Sequence, residues 1–417
     1  MGSIVIQCSL MTLNPHNSSD FPGVLITAGT TPNTLGVVRC FGRRGIPVYY
    51  LDSEPRSMVR HSKYITRRLK CPGIKQSETA YIDALVKHGS QSREKLMLIS
   101  TGDLETLVIS RYRQELEPFY LLSVPSAEIV SRLVNKREFS QLLSTLKIPC
   151  PKTCLPRDLD ELQSIGQEIG YPFVIKPVYS AQFQDEFKCK CILVDSREAL
   201  QHTLDRQKGR NLEVIIQEMV PGEDLYSLYT YFDKYSNPVA ICGYDKLRQF
   251  PLDFGSGSLC KTTWRELPIN LAIQTLRSVN YYGTAEVEFI RDPRDGEYKM
   301  LEINTRTTHQ NRLPPACGID IDYISYLDAT GQLTTAALNP EDDVFWIDDF
   351  FDVISCLIRL KRKKLKLKDL FISSGHHRVH SIAAWDDPDP AIIQTFILGI
   401  SAWHLLLKSK ETKHWLN

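Results

Sequence analysis

The chain has 417 residues, 42% of them hydrophobic, enough for about two or three hydrophobic cores. Its 50 basic and 49 acidic residues leave a net charge of +1, so no nucleic-acid partner is expected and any polyanion must be bound locally. The 11 cysteines are scattered, and Cys150-x3-Cys154 and Cys189-x-Cys191 lack partner pairs at zinc-ligand spacing, which reads as inert thiols of a reducing cytoplasm. Met1 to Ile6 has no basic segment followed by a long apolar stretch, and Ile6 stands where a myristoylation signal has Ser or Thr; the expectation is a cytoplasmic protein.

Val24 to Gly29 reads as a buried strand running into a small polar loop, Thr34 to Gly45 as a helix, and Ile46 to Asp52 as a second strand, a βαβ opening. A further apolar run, Leu96 to Ser100, delivers Thr101, Gly102 and Asp103 at its carboxyl end, where open parallel sheets bind small molecules. Gly29 and Gly36 do not make G-x-G-x-x-G, which argues against a dinucleotide.

Asn135 to Phe139 opens a helix, and Asp158 to Ile169 is another, stopped by Gly170. Tyr171 to Pro177 is a short buried strand interrupted by Lys176, a cation that needs an anion or must snorkel from an edge. Val214 to Glu218 is a strand leading through Pro221-Gly222 to Asp224, an acid suited to ribose hydroxyls. Asp245 to Arg248 then supplies cations, and Phe254 to Ser258 reads as a flexible loop.

Thr284 to Asn304 is the most informative segment. Alternation puts Glu286 and Glu288 on one face of a strand, the turn Asp292 to Gly296 reverses the chain, and Met300, Glu302 and Asn304 share a face of the returning strand. Two carboxylates about 4 Å apart repel by roughly 4 kcal/mol at an effective dielectric near 20. A hard divalent cation holds such a pair ionised, and oxygen-only donors suit magnesium or manganese rather than zinc. The alternative is a hairpin whose carboxylates face water.

Beyond Gly331 the chain changes character. Arg359 to Lys368 holds seven cations in ten positions with Leu360, Leu365 and Leu367 interleaved; it could lie on an anionic membrane, although a solvated helix face is the commoner outcome. Ala391 to Leu407 is mostly apolar, yet Gln394, His404 and its length favour a core-packing or dimer-forming helix over a transmembrane one.

In order, Lys136, Val-Ile-Lys176-Pro, Ile-Gln217-Glu218-Met-Val220-Pro-Gly-Glu-Asp224, Glu-Val-Glu288-Phe and Leu-Glu302-Ile-Asn304-Thr-Arg306 resemble the ATP-grasp superfamily over roughly Pro125 to Gly331. Within it the set is similar to the predicted carboxylate-amine ligase branch, related to biotin carboxylase, carbamoyl phosphate synthase and D-aspartate ligase. The resemblance implies a mixed α/β and α+β chain: a Rossmann-like parallel-sheet domain over 1–124, an ATP-grasp fold over 125–335, and a partly helical, basic C-terminal extension over 336–417. It implies that Lys136 and Lys176 contact ATP phosphates, that Gln217, Glu218 and Val220 read adenine, and that Asp224 binds ribose. Glu288, Glu302 and Asn304 match the magnesium ligands, and Arg306 matches an arginine near the transferred phosphoryl group, with Lys246 and Arg248 as further neutralising cations.

Two departures stand out. The glycine-rich lid after the second lysine is replaced by Tyr179 to Asp185, and the usual Asn-Pro-Arg is Asn304-Thr305-Arg306. The implied activity is ATP-dependent joining of a small-molecule carboxylate to an amine through an acyl phosphate. The alternatives are a bicarbonate-activating, carbamoyl-phosphate-type enzyme and a non-catalytic ATP-binding protein. The carboxylate is expected between the loop after Gly29, the strand end at Asp103 and the segment Arg306 to Arg312, where His309 is more readily structural than catalytic.

Overall fold

The computed structural model describes residues 21–408 except 28, 179–190, 208–212, 253, 334–336 and 339, so the lid segment Tyr179 to Asp185 and the first residues lie outside the described residues. The first sheet is parallel, in the order β3–β2–β1–β4–β5, from Val24–Ile26 (β1), Val48–Asp52 (β2), Arg67–Lys70 (β3), Leu96–Ile99 (β4) and Tyr120–Leu122 (β5). Its central strands are apolar on both faces because both are covered: Val24 and Ile26 enter one core and Leu25 the other. The helix expected from Thr34 begins at Pro32, whose fixed φ suits a first helical turn, and ends at Gly42 ahead of the turn at Gly45, φ +73°.

The second sheet, β6–β9–β7–β8, pairs Thr153–Cys154 (β6), Phe173–Pro177 (β7), Ile192–Val194 (β8) and Val214–Glu218 (β9). The helix Leu159–Ile169 covers it as the sequence predicts: the Asp158 side chain accepts the Glu161 N–H at its start, and Gly170 at φ +82° ends it.

The third sheet is the largest. It runs β14–β13–β10–β11–β12–β16–β17, from Leu225–Phe232 (β10), Pro238–Phe250 (β11), Ser256–Thr262 (β12), Gly283–Arg291 (β13), Tyr298–Asn304 (β14), Phe345–Ile347 (β16) and Arg378–His380 (β17), with Ala337–Leu338 (β15) on β11. One expectation fails here. Ser256 to Ser258 is not a flexible loop but the start of β12, paired with Gln249 and Phe250, and a Cβ at Gly257 would meet Cys260 Sγ at 2.5 Å.

The segment after 335 is not an appendage to this sheet, since it supplies β16 and β17. It then returns to the first sheet. Arg39 Nε donates to Asp387 Oδ2 at 2.8 Å, with both side chains 1% exposed, and the same carboxylate accepts from Ser62 Oγ (2.7 Å) and Lys63 N–H (2.9 Å). Ala391 and Ile393, in the helix Asp389–Lys408, pack against the core beneath β1. Among the described residues no helix is long and apolar enough to cross a membrane.

Candidate active site

The antiparallel pair β13–β14 sets Glu288 opposite Glu302 and Glu286 opposite Asn304. The turn between the strands closes by Gly296 N–H donating to Asp292 O at 2.7 Å, with Gly296 at φ +78°. Strict alternation breaks just before Glu302. A bulge leaves Leu301 unpaired and puts Met300 opposite Phe289, so Met300 enters the apolar core with Ile303 instead of sharing the Glu302 face.

Neighbouring strands complete the charge pattern. Lys246 on β11 lies 2.7 Å from Glu288 Oε2, and its side chain is 3% exposed. Burial and the charges of Glu302 and Glu286 push the Glu288 carboxyl up to about 7 against the opposing pull of Lys246. Glu286 goes the other way: burial is outweighed by Lys246, Arg306 and the Tyr244 and Thr308 hydroxyls, and its pKa falls. The Tyr244 hydroxyl donates to Glu286 Oε1 at 2.6 Å, and Asn304 Nδ2 donates to Glu286 Oε2 at 3.2 Å.

A cleft opens between this hairpin and the second sheet, lined by Lys136, Lys176 and Gln217 together with Phe139, Met300 and Leu301. Lys136 is the first residue of the helix Lys136–Leu146, where Asn135 Oδ1 accepts the N–H groups of Arg137 and Glu138. Lys176 Nζ donates to Gln217 Oε1 at 2.8 Å, and burial together with the charge of Lys136 lowers its pKa. Glu218 does not line this cleft; its side chain accepts the Lys152 N–H (2.9 Å) and pairs with Arg294 (3.1 Å). Val220 is buried, and Asp224 pairs with Arg265 at 3.1 Å.

Arg306 follows β14 and bonds Asp103 Oδ2 at 3.2 Å, joining the hairpin to the end of β4. Asn33 Nδ2 donates to Thr101 O (2.9 Å) and Thr307 O (3.4 Å), and Asn311 Nδ2 donates to Asn33 O (2.9 Å) and Asp322 Oδ2 (3.0 Å). The three segments expected around the carboxylate therefore meet. Asp322 is buried there, takes a 2.6 Å bond from the Tyr229 hydroxyl, and is pushed up to about 7 by burial.

Arg248 is not among the converging groups. Its guanidinium forks onto Asp352, Nε to Oδ1 at 2.8 Å and Nη2 to Oδ2 at 2.6 Å, while Nη1 donates to Asp369 O at 3.0 Å. With all three nitrogens taken in a buried site, it fastens the later chain to β11. Sequence reasoning missed Tyr244, although alternation places it on the Lys246 face of β11, two residues earlier. Among the described residues no group of three or more His, Cys, Asp and Glu side chains is placed to hold a metal ion.

A family model described as "Carbamoyl-phosphate synthase L chain, ATP binding domain" matches residues 256–332. The D-aspartate ligase of Enterococcus faecium is 26% identical over 311 residues, which span 70% of this chain and 73% of that one. The carbamoyl phosphate synthase large chain of Halomonas eurihalina is 22% identical over 52% of this chain, which spans only 22% of that protein. Among solved structures, the biotin carboxylase domain of the Hydrogenobacter thermophilus 2-oxoglutarate carboxylase, in complex with MgADP, ADP and bicarbonate, superposes with a TM-score of 0.63 at 16% identity, over 77% of this chain and 72% of that one.

Proposed function

We propose that the chain is an ATP-dependent ligase of the ATP-grasp superfamily that joins a small-molecule carboxylate to an amine, releasing ADP and phosphate. The observation that carries this reading is the β13–β14 register, which sets Glu302 across from Glu288 beside a cleft lined by Lys136 and Lys176.

Two carboxylates and an amide, all oxygen donors, fit magnesium or manganese better than zinc. Glu288 already lies beside a positive charge, the Lys246 ammonium, so the position accepts one. Glu288, Glu302 and Asn304 would hold the ion, which when bound neutralises charge on the phosphate oxygens. In this reading Lys136 and Lys176 bind the phosphates, Gln217, Glu218 and Val220 meet the adenine, and Asp224 meets the ribose once released from Arg265. Residues 21–124 and the Arg306 segment form the carboxylate side, the rest of 125–335 the nucleotide side, and the later chain adds β16, β17 and the helices that follow them.

The chemistry is phosphoryl transfer, in which positioning and charge neutralisation do most of the work. A carboxylate oxygen attacks the γ-phosphorus, the bond to the bridging oxygen breaks, and ADP leaves. The amine nitrogen then attacks the acyl carbon and phosphate leaves, giving the amide. Lys246 and Arg306 flank the transferred group and stabilise its negative charge. Arg248 contributes indirectly, by bracing the strand that carries Lys246.

Mass spectrometry of products from a mixed carboxylate and amine library with ATP and Mg²⁺ tests the reading. The expected result is an amide formed with ADP and lost in Glu302→Ala. It is overturned if no carboxylate and amine pair yields ADP while Glu302→Ala leaves ATP binding and magnesium dependence untouched. The family-model match over 256–332 favours a second reading, bicarbonate activation, which ADP formation dependent on bicarbonate alone would select.

A further inference from the structure

The helix Phe351–Lys361 has one face committed inward and one left bare. Asp352, Ser355, Cys356 and Arg359 are buried against the third sheet, whereas Val353, Ile354 and Leu357 are 59%, 38% and 61% exposed. Arg248 brings a second segment alongside, because one guanidinium holds both the Asp352 carboxylate and the Asp369 carbonyl. That places Phe371 and Ile372, 67% and 46% exposed, next to the start of the helix, where Phe351 stacks on Phe250 at 5.1 Å. Between the two lie Lys361, Arg362, Lys363, Lys364, Lys366 and Lys368, all exposed. Of the two acids in 351–372, Asp352 is buried on Arg248 and Asp369 is half-buried.

We propose that this surface, the outer face of 351–361 with 361–372, docks the protein on an anionic lipid bilayer. Large apolar side chains next to a dense block of cations match the bilayer interface, where apolar groups enter the acyl boundary and lysines meet headgroup charge. A second copy of the chain is the poorer occupant. A two-fold interface lays a patch on itself, which here opposes six cations with six cations. The sequence left a solvated basic face as the commoner outcome. What changes the balance is that the apolar side of the same helix points outward too.

Co-sedimentation of the full chain with phosphatidylcholine vesicles, with and without phosphatidylserine, tests this. We expect binding to the anionic vesicles only, release by added sodium chloride, and about 100-fold or greater weakening when Lys361, Arg362, Lys363 and Lys364 all become glutamine. Leu357→Asp with Val353→Asp should abolish binding with the circular dichroism spectrum and vesicle-free ADP formation unchanged. The proposal is overturned by no binding to anionic vesicles, by equal binding to neutral ones, or by unweakened binding of the glutamine variant. It is also overturned if the aspartate pair abolishes self-association while vesicle binding is nil. The vesicle-binding readouts need no turnover, so they stand apart from the ligase reading.

Discussion

Asn304 and Glu286 face each other across β13 and β14, with the amide nitrogen of one donating to the carboxylate of the other at 3.2 Å. That bond fixes which end of the Asn304 amide is its oxygen. Glu286 is itself held by Tyr244, so it acts on the site by orienting a neighbour.

Loss of such an outer partner typically costs 10–100-fold in metal affinity or activity. Glu286→Gln should therefore raise the Mg²⁺ concentration needed for half-maximal ADP release by about that factor, with ATP affinity in the absence of metal unchanged. Tyr244→Phe should shift it in the same direction by less. A magnesium titration of each variant checks both.

Lys176 gives a second prediction. A hydrogen bond to a charged group contributes about 1.5–3 kcal/mol, so Lys176→Met should weaken binding of a non-hydrolysable ATP analogue by roughly 10–100-fold. Gln217→Ala, which removes the partner that holds the ammonium, should weaken it less. Calorimetric titration distinguishes the two.

The Arg248–Asp352 pair separates bracing from chemistry. Breaking a buried pair from one side costs about 3–5 kcal/mol, so Asp352→Ala should be strongly destabilised in urea. Replacing both partners by apolar residues, Arg248→Met with Asp352→Leu, should recover most of that loss. If the double variant is stable and still releases ADP, the guanidinium is a brace; if it is stable and inactive, Arg248 returns to the reacting centre.

Asp322 sets a pH dependence of stability. Burial pushes its carboxyl up to about 7 in the folded chain, from an ordinary aspartate value of about 4, so folding takes up a proton between those limits. This group's contribution to stability is therefore greatest in acid, declines as pH rises from about 4 to 7, and is level above. Asp322→Asn removes the slope. Urea melts at pH 5 and pH 8 should show a smaller difference for the variant than for the parent chain.

Much of this is legible in the sequence. Alternation in 284–304 put Glu288, Glu302 and Asn304 together because a hairpin turn and a period of two leave few other arrangements. The caps at Asp158 and Gly170 are local chemistry and were equally readable. Leu301 was not, since a bulge depends on what the facing strand does. Arg248 looked catalytic because its partner lies 104 residues further on, and no local pattern connects the two. The outward turn of Val353, Ile354 and Leu357 was hidden for the same reason: three apolar residues on a helix read as core until it is known which side the sheet takes.

The return of the chain to its own beginning bears on how the protein can be handled. Cutting at residue 332 to remove the basic segment would also withdraw β16 and β17 and strip Asp387 from Arg39, abandoning a guanidinium in an apolar interior. A shortened version would report its own collapse, so the tail's role is open to point substitution but not to amputation.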